Sequence, residues 1–112
     1  MPPSKKDPQL LKGVLPMLIL AELAKAPTYG YDLVQRLQEQ GLEDLGQGTV
    51  YPLLTRLERE GLLTFELVPS QSGPARKNYA ISPTGEHELH AIHSAWQALN
   101  TVVNRIMETD DE

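Results

Sequence analysis

The sequence predicts an α+β fold, mostly α: a winged helix-turn-helix with an added C-terminal dimerisation helix. Three observations carry this. Residues 31–37 and 50–57 are short amphipathic stretches separated by a glycine-bearing connector, "GLEDLGQG". Two alternating segments, 63–67 and 76–81, flank the turn-forming run "PSQSGPA". From Leu89 to Ile106 the apolar residues recur at alternating spacings of 3 and 4, as in a helix with one sticky face. A first helix precedes all of this, so the order is three helices, a hairpin and a long final helix.

Taken in order, residues 1–9 hold three prolines, a serine and Lys5-Lys6, and read as a flexible arm. A winged domain is then expected over 10–82. Leu11, Leu15, Leu18, Ile19 and Leu23 recur at helical spacing, while Gly13 and Pro16 predict a kink or a late start near Leu15. "KAPTYGYD" ends this helix. Thr28 is the expected N-cap of the second, with Asp32 at its positive end. Tyr31, Val34 and Leu37 form its expected stripe, and Gly41 its stop.

The third helix, 48–60, has a buried stripe of Val50, Leu53, Leu54 and Leu57 at i, i+3, i+4 and i+7. Pro52, Thr55 and Arg59 point away from it, flanked by Tyr51 and Arg56. With Thr49 as N-cap, Pro52 becomes the third helical residue and costs no hydrogen bond. Gly61 supplies the stop, and Leu62 folds back on the last turn. Leu63, Phe65 and Leu67 alternate with Thr64 and Glu66 as a half-buried strand. Lys77, Tyr79 and Ile81 alternate with Arg76, Asn78 and Ala80 as a second. Together they predict a hairpin over 63–81 with a seven-residue tip and two cations just after it. Ser82-Pro83 is an N-cap followed by proline at the first helical position. The last helix, 83–108, carries the seam Leu89, Ile92, Trp96, Leu99, Val103 and Ile106; residues 109–112 read as a frayed tail.

Composition narrows the function classes. The chain has 112 residues, enough for one small domain, and no cysteine, which removes disulfides, thiolate metal sites and a cysteine nucleophile. No apolar run approaches the ~20 residues of a membrane span, and no secretory signal is visible at the start; a cytoplasmic, membrane-free protein is expected. The net charge of -5 argues at face value against nucleic acid. Its distribution does not. Residues 84–112 carry Arg105 against six acids, while 46–83 carry Arg56, Arg59, Arg76 and Lys77 against Glu58, Glu60 and Glu66. No phosphate loop or nucleophile–base pair is present, and Ser70 and Ser72 lie on a turn, so no enzyme is expected. His87 and His93 lie ~120° apart on a helix, so the three histidines including His90 cannot converge on one ion; no metal and no cofactor are expected.

The outward face of the third helix is what a binder of a DNA major groove needs. Arginine reads guanine bidentately, and Gln, Thr and Tyr reach phosphates. Candidate DNA-contacting residues are Gln47, Thr49, Tyr51, Pro52, Thr55, Arg56 and Arg59, with Arg76 and Lys77 from the wing. For Tyr51 two readings stand: a hydroxyl on a phosphate, or a ring wedged against the second helix. Arg56 also has Glu60 within i+4 reach. A one-sided seam bearing an indole is too large for so small a domain to cover, which predicts a two-fold dimer through Leu11, Leu15, Leu89, Ile92, Trp96, Leu99, Val103 and Ile106. A winged-helix module that binds protein and not DNA is the alternative.

The run "GQGTVYPLLTRLEREGLL" closely resembles the recognition helix of the PadR family of bacterial transcriptional regulators, "YGYDL" its second helix, and "RKNYAISPTG" its wing strand and the step into the last helix. The resemblance covers about residues 10–108. A single C-terminal helix makes the chain similar to the family's short subfamily, whose members are dimers that pack this helix against the partner. The resemblance implies an operator-binding homodimer, a repressor by family default. Some members of that subfamily hold flat aromatic compounds between two tryptophans, one per last helix. Trp96 stands where that tryptophan would stand, which makes Trp96, Leu15 and His93 candidate contacts for a small aromatic effector. Tyr29 departs from the histidine usual before the second-helix glycine, and Pro16 is unusual in the first helix.

Overall fold

The computed structural model describes residues 7–108. The elements run α1 (Pro8–Lys25), β1 (Thr28–Tyr29), α2 (Gly30–Glu39), α3 (Gln47–Arg59), β2 (Leu63–Ser70), β3 (Gly73–Ile81) and α4 (Pro83–Met107). Four helices and a three-stranded antiparallel sheet of order β1-β3-β2 thus make the mostly α winged fold. Residues 1–6 of the expected arm and the tail 109–112 lie outside the described residues.

Helix α1 does not start late. Asp7 caps it, its carboxylate accepting from Gln9 N at 2.8 Å and Leu10 N at 3.4 Å, and Pro8 takes the first helical position, where no N–H is needed. The helix then runs unbroken through Gly13 and Pro16. Pro16 withholds one bond from the carbonyl of the exposed Lys12.

Two expected N-caps are displaced. Thr28 is not the cap of α2: it is buried in β1, paired with Tyr79, while Tyr29 pairs with Asn78 and itself precedes the helix without a side-chain cap bond. Thr49 is not the cap of α3 either. Gly46 takes the extended cap conformation, so α3 opens earlier at Gln47, and Pro52 becomes its sixth residue. Pro52 therefore does cost a bond, leaving the carbonyl of the exposed Gly48 to water. Both helices end as expected. Gly41 at φ 125° and Gly61 at φ 82° take the left-handed position, and the N–H groups of Leu42 and Leu62 reach back to the carbonyls of Leu37 and Leu57 at 3.1 and 2.9 Å. These are paired Schellman closures.

The core gathers Leu15, Ile19, Leu20 and Leu23 of α1, Leu33, Val34 and Leu37 of α2, Leu45, Val50, Leu54 and Leu57 around α3, then Leu63 and Tyr79. Tyr31 is 49% exposed and is not part of the α2 stripe; it lies ~140° around the helix from the Leu33–Leu37 line. Leu53 is half-buried. The hairpin is longer and its tip tighter than expected: only Gln71 and Ser72 separate the strands, with an irregular step between Val68 and Ser70. Of β2's alternating apolar residues only Leu63 is buried; Phe65 and Leu67 remain exposed.

One buried charge ties helix ends together. Glu22 of α1 is 6% exposed and accepts from Lys25 Nζ at 3.0 Å and from Gln40 Nε2 at the end of α2. Burial by itself would raise this carboxyl. The hydrogen bonds from Lys25 and Gln40, with the charges of Lys25 and Arg36, outweigh it and hold the carboxyl below its ordinary value. A carboxyl depressed on folding stabilises above its unfolded value and loses that contribution as pH falls through the folded one. Thermal melts from pH 6 downward should therefore show wild type and Glu22→Gln converging below about pH 4; curves that stay parallel would remove Glu22 from the acid response.

Candidate nucleic-acid interface

The packing of α3 decides which of its residues are available. Val50, Leu54 and Leu57 are fully buried, so the helix is fixed by one face. Gln47, Thr49, Tyr51, Pro52, Thr55, Arg56 and Arg59 all lie on the exposed side. Thr55 spends its hydroxyl on its own helix, donating to the Tyr51 carbonyl at 3.1 Å. Arg56 Nε lies 3.5 Å from the Glu60 carboxylate, both side chains about half exposed. A pair so wetted is worth little and opens cheaply.

The wing is braced against α3 by charge. Lys77 Nζ sits 3.2 Å from the Glu58 carboxylate and 4.2 Å from the centre of the Phe65 ring. Arg76, one residue earlier on the opposite face of the strand, lays its guanidinium 4.0 Å over the Tyr29 ring. That stack exists because β1 pairs with β3 and brings Tyr29 opposite Asn78. Phe65 and Tyr79 meet as tilted rings 6.3 Å apart, and burial of Tyr79 raises its hydroxyl above the ordinary value. The structure thus ties Lys77 to α3 and Arg76 to β1, with both residues bordering the hollow beside Tyr51.

Of the two readings of Tyr51, the ring against the second helix is the one this geometry describes. That ring lies against Gly30, the first residue of α2, and the side chain is still 38% exposed. Gly30, Tyr29 and Glu58 were not among the residues that sequence pattern singled out. Their signal lies in contacts between elements far apart in the chain; only the run "YGYDL" hinted at the first two.

A half-open groove of about 1110 Å³ runs between α1, the α2–α3 connector and α3. Leu11, Leu15, Leu42, Leu53 and Pro52 are among its walls, with Lys12 and Arg56 at polar positions. Of the candidate effector contacts Leu15 lines this groove. Trp96 and His93 are exposed on α4 and are not among its walls. Along α4, Leu89 and Ile92 are half-buried, whereas Trp96, Leu99, Val103 and Ile106 are 41, 61, 45 and 61% exposed. Among the described residues, no group of three or more His, Cys, Asp or Glu is arranged to hold a metal ion, and no helix is long and apolar enough to cross a membrane.

A family model described as the transcriptional regulator PadR-like family matches residues 19–91. A PadR-like transcriptional regulator from Bacillus cereus is 36% identical, with 93% of this chain and 99% of that one covered and a TM-score of 0.80. A PadR family transcriptional regulator from Eggerthella lenta is likewise 36% identical, over 91% and 88% of the two chains, with a TM-score of 0.84. The negative transcriptional regulator PadR of Bacillus subtilis is 32% identical over 83 residues, which make up 69% of this chain but only 43% of that protein.

Proposed function

This chain belongs to the PadR-like family of transcriptional regulators, and we propose on that premise that it is a cytoplasmic repressor that binds a two-fold operator as a homodimer. In this reading α3 enters the major groove, the β2–β3 wing meets the flanking backbone, and α4 pairs with its counterpart. The observation that carries it is the division of α3. One face is locked in the core, and the other offers Thr49, Tyr51, Arg56 and Arg59 to solvent beside Arg76 and Lys77. Such a set of donors on one rigid helix suits base edges and phosphates. Among the described residues, Glu86, Glu88 and Glu108 fall on α4 or at its end, not on α3 or the wing. The uncovered apolar stripe of α4 supports the dimer. In the same reading the two Trp96 side chains meet a flat aromatic effector, which acts by favouring a spacing of the recognition helices that misses the ~34 Å repeat of the major groove.

Fluorescence anisotropy on duplexes from the DNA upstream of the protein's own gene tests the reading. Affinity should depend on sequence and fall steeply with salt, because phosphate contacts release counterions. Salt-insensitive or absent binding would favour a protein-interaction module instead. Arg56→Ala should weaken the specific duplex by roughly 10- to 100-fold and a scrambled duplex much less. An equal loss on both would assign Arg56 to the phosphates.

A further inference from the structure

Gly30 has no backbone reason to be glycine. Its φ is not positive, unlike Gly41 and Gly61, and it opens a helix, where glycine is inferior to alanine. The reason lies across the fold. A Cβ on Gly30 would stand 2.6 Å from Cε1, 2.9 Å from Cζ and 3.0 Å from the hydroxyl oxygen of Tyr51. The phenol end of Tyr51 occupies the space that a side chain would fill. That seat opens on a hollow of about 320 Å³ whose walls include Tyr29, Arg76 and Lys77. Arg76 is fixed there by its stack on Tyr29, and Lys77 by Glu58 and Phe65. Tyr51, Arg76 and Lys77 therefore border one opening, though they arise from two separate elements.

We propose that Gly30 is a positioning residue for DNA binding: its missing side chain seats the Tyr51 phenol so that the hydroxyl joins Arg76 and Lys77 on one stretch of phosphate backbone. This deepens, and rests on, the DNA-binding reading above. The seat differs from an ordinary packing glycine in what a methyl group would disturb. The three atoms nearest to it would belong to the far end of a side chain that can swing away, not to backbone. Gly30→Ala should then leave the fold intact, or slightly stabilise it, while moving the phenol out of register.

The test is a double-mutant cycle on the full chain with Gly30→Ala, Tyr51→Ala and the pair. Melting temperature, anisotropy on upstream and scrambled duplexes, and the NMR contact between Tyr51 ring protons and the Gly30 α-protons are read together. Gly30→Ala is expected to melt no lower than wild type, to lose the ring contact and to bind roughly tenfold more weakly on both duplexes, as loss of one phosphate contact would. In the Tyr51→Ala background the same substitution should change binding by less than about twofold. Undiminished binding by Gly30→Ala, an equal loss in both backgrounds, or a lowered melting temperature would overturn the proposal. Absence of the ring contact in wild type would overturn the seat itself. Wild-type protein that shows the contact but binds no duplex would overturn the DNA reading, and the role of the seat with it.

Discussion

Gly85→Ala is expected to destabilise the protein by about 3 kcal/mol, as severe overpacking does, and to lower its melting temperature by roughly 10 °C. A Cβ there would lie 2.1 Å from the Leu62 carbonyl oxygen and 2.8 Å from Ile81 Cγ1. Unlike the space beside Gly30, this one is bounded by backbone that is held from several directions. The Leu62 carbonyl accepts from Ser82 N at 3.0 Å, Ser82 Oγ donates to the Gly61 carbonyl at 2.7 Å, and Gly85 N donates to Ser82 Oγ at 2.9 Å. Relieving the clash means breaking that set or unwinding the closure of α3. Gly13→Ala is the matching control. It sits on α1 with nothing within 4 Å of its would-be Cβ, and should gain up to about 1 kcal/mol. Thermal or urea unfolding of the two variants decides the matter; a Gly85→Ala protein as stable as wild type would show the joint to be compliant. The joint ties Gly61 and Leu62, just past the end of α3, to Ser82 and Gly85 at the start of α4.

The parts of this fold that were legible in the sequence are those set by neighbours in the chain. The Val50–Leu54–Leu57 stripe, the stops at Gly41 and Gly61, and the Ser82-Pro83 start are each local chemistry, and each stands where the pattern put it. What was illegible depends on distant partners. Thr28 looks like an N-cap until β3 claims its backbone for a ladder. Thr49 looks like one until Gly46 offers an extended cap a turn earlier. Pattern alone could also place the outward set on α3. It could not show that Tyr51 leans on Gly30 or that Arg76 stacks on Tyr29, because those contacts join residues 21 and 47 positions apart. The candidate surface was readable as a list of side chains and unreadable as a shape.

Trp96→Asp is expected to raise the dimer dissociation constant by 100-fold or more, the scale of a central aromatic anchor. The protein should then sediment at monomer mass at micromolar concentration. Trp96 lies outside the core, in line with Leu99 and Val103 on the uncovered face of α4. A carboxylate at that point would have to be desolvated against apolar partners. Because the core does not include this residue, the monomer should keep its helical content, which separates loss of assembly from loss of fold. Ser94→Asp provides the contrast: it lies ~160° around α4 from Trp96 and should leave the mass unchanged. Duplex affinity should fall with the dimer by two or more orders of magnitude, since the second half-site is no longer held at high local concentration. An unchanged sedimentation mass would show that the seam is not the interface. Monomers that still bind the upstream duplex at full strength would show that each winged domain reads its site alone, and a ligand at the seam would then have no lever on the operator.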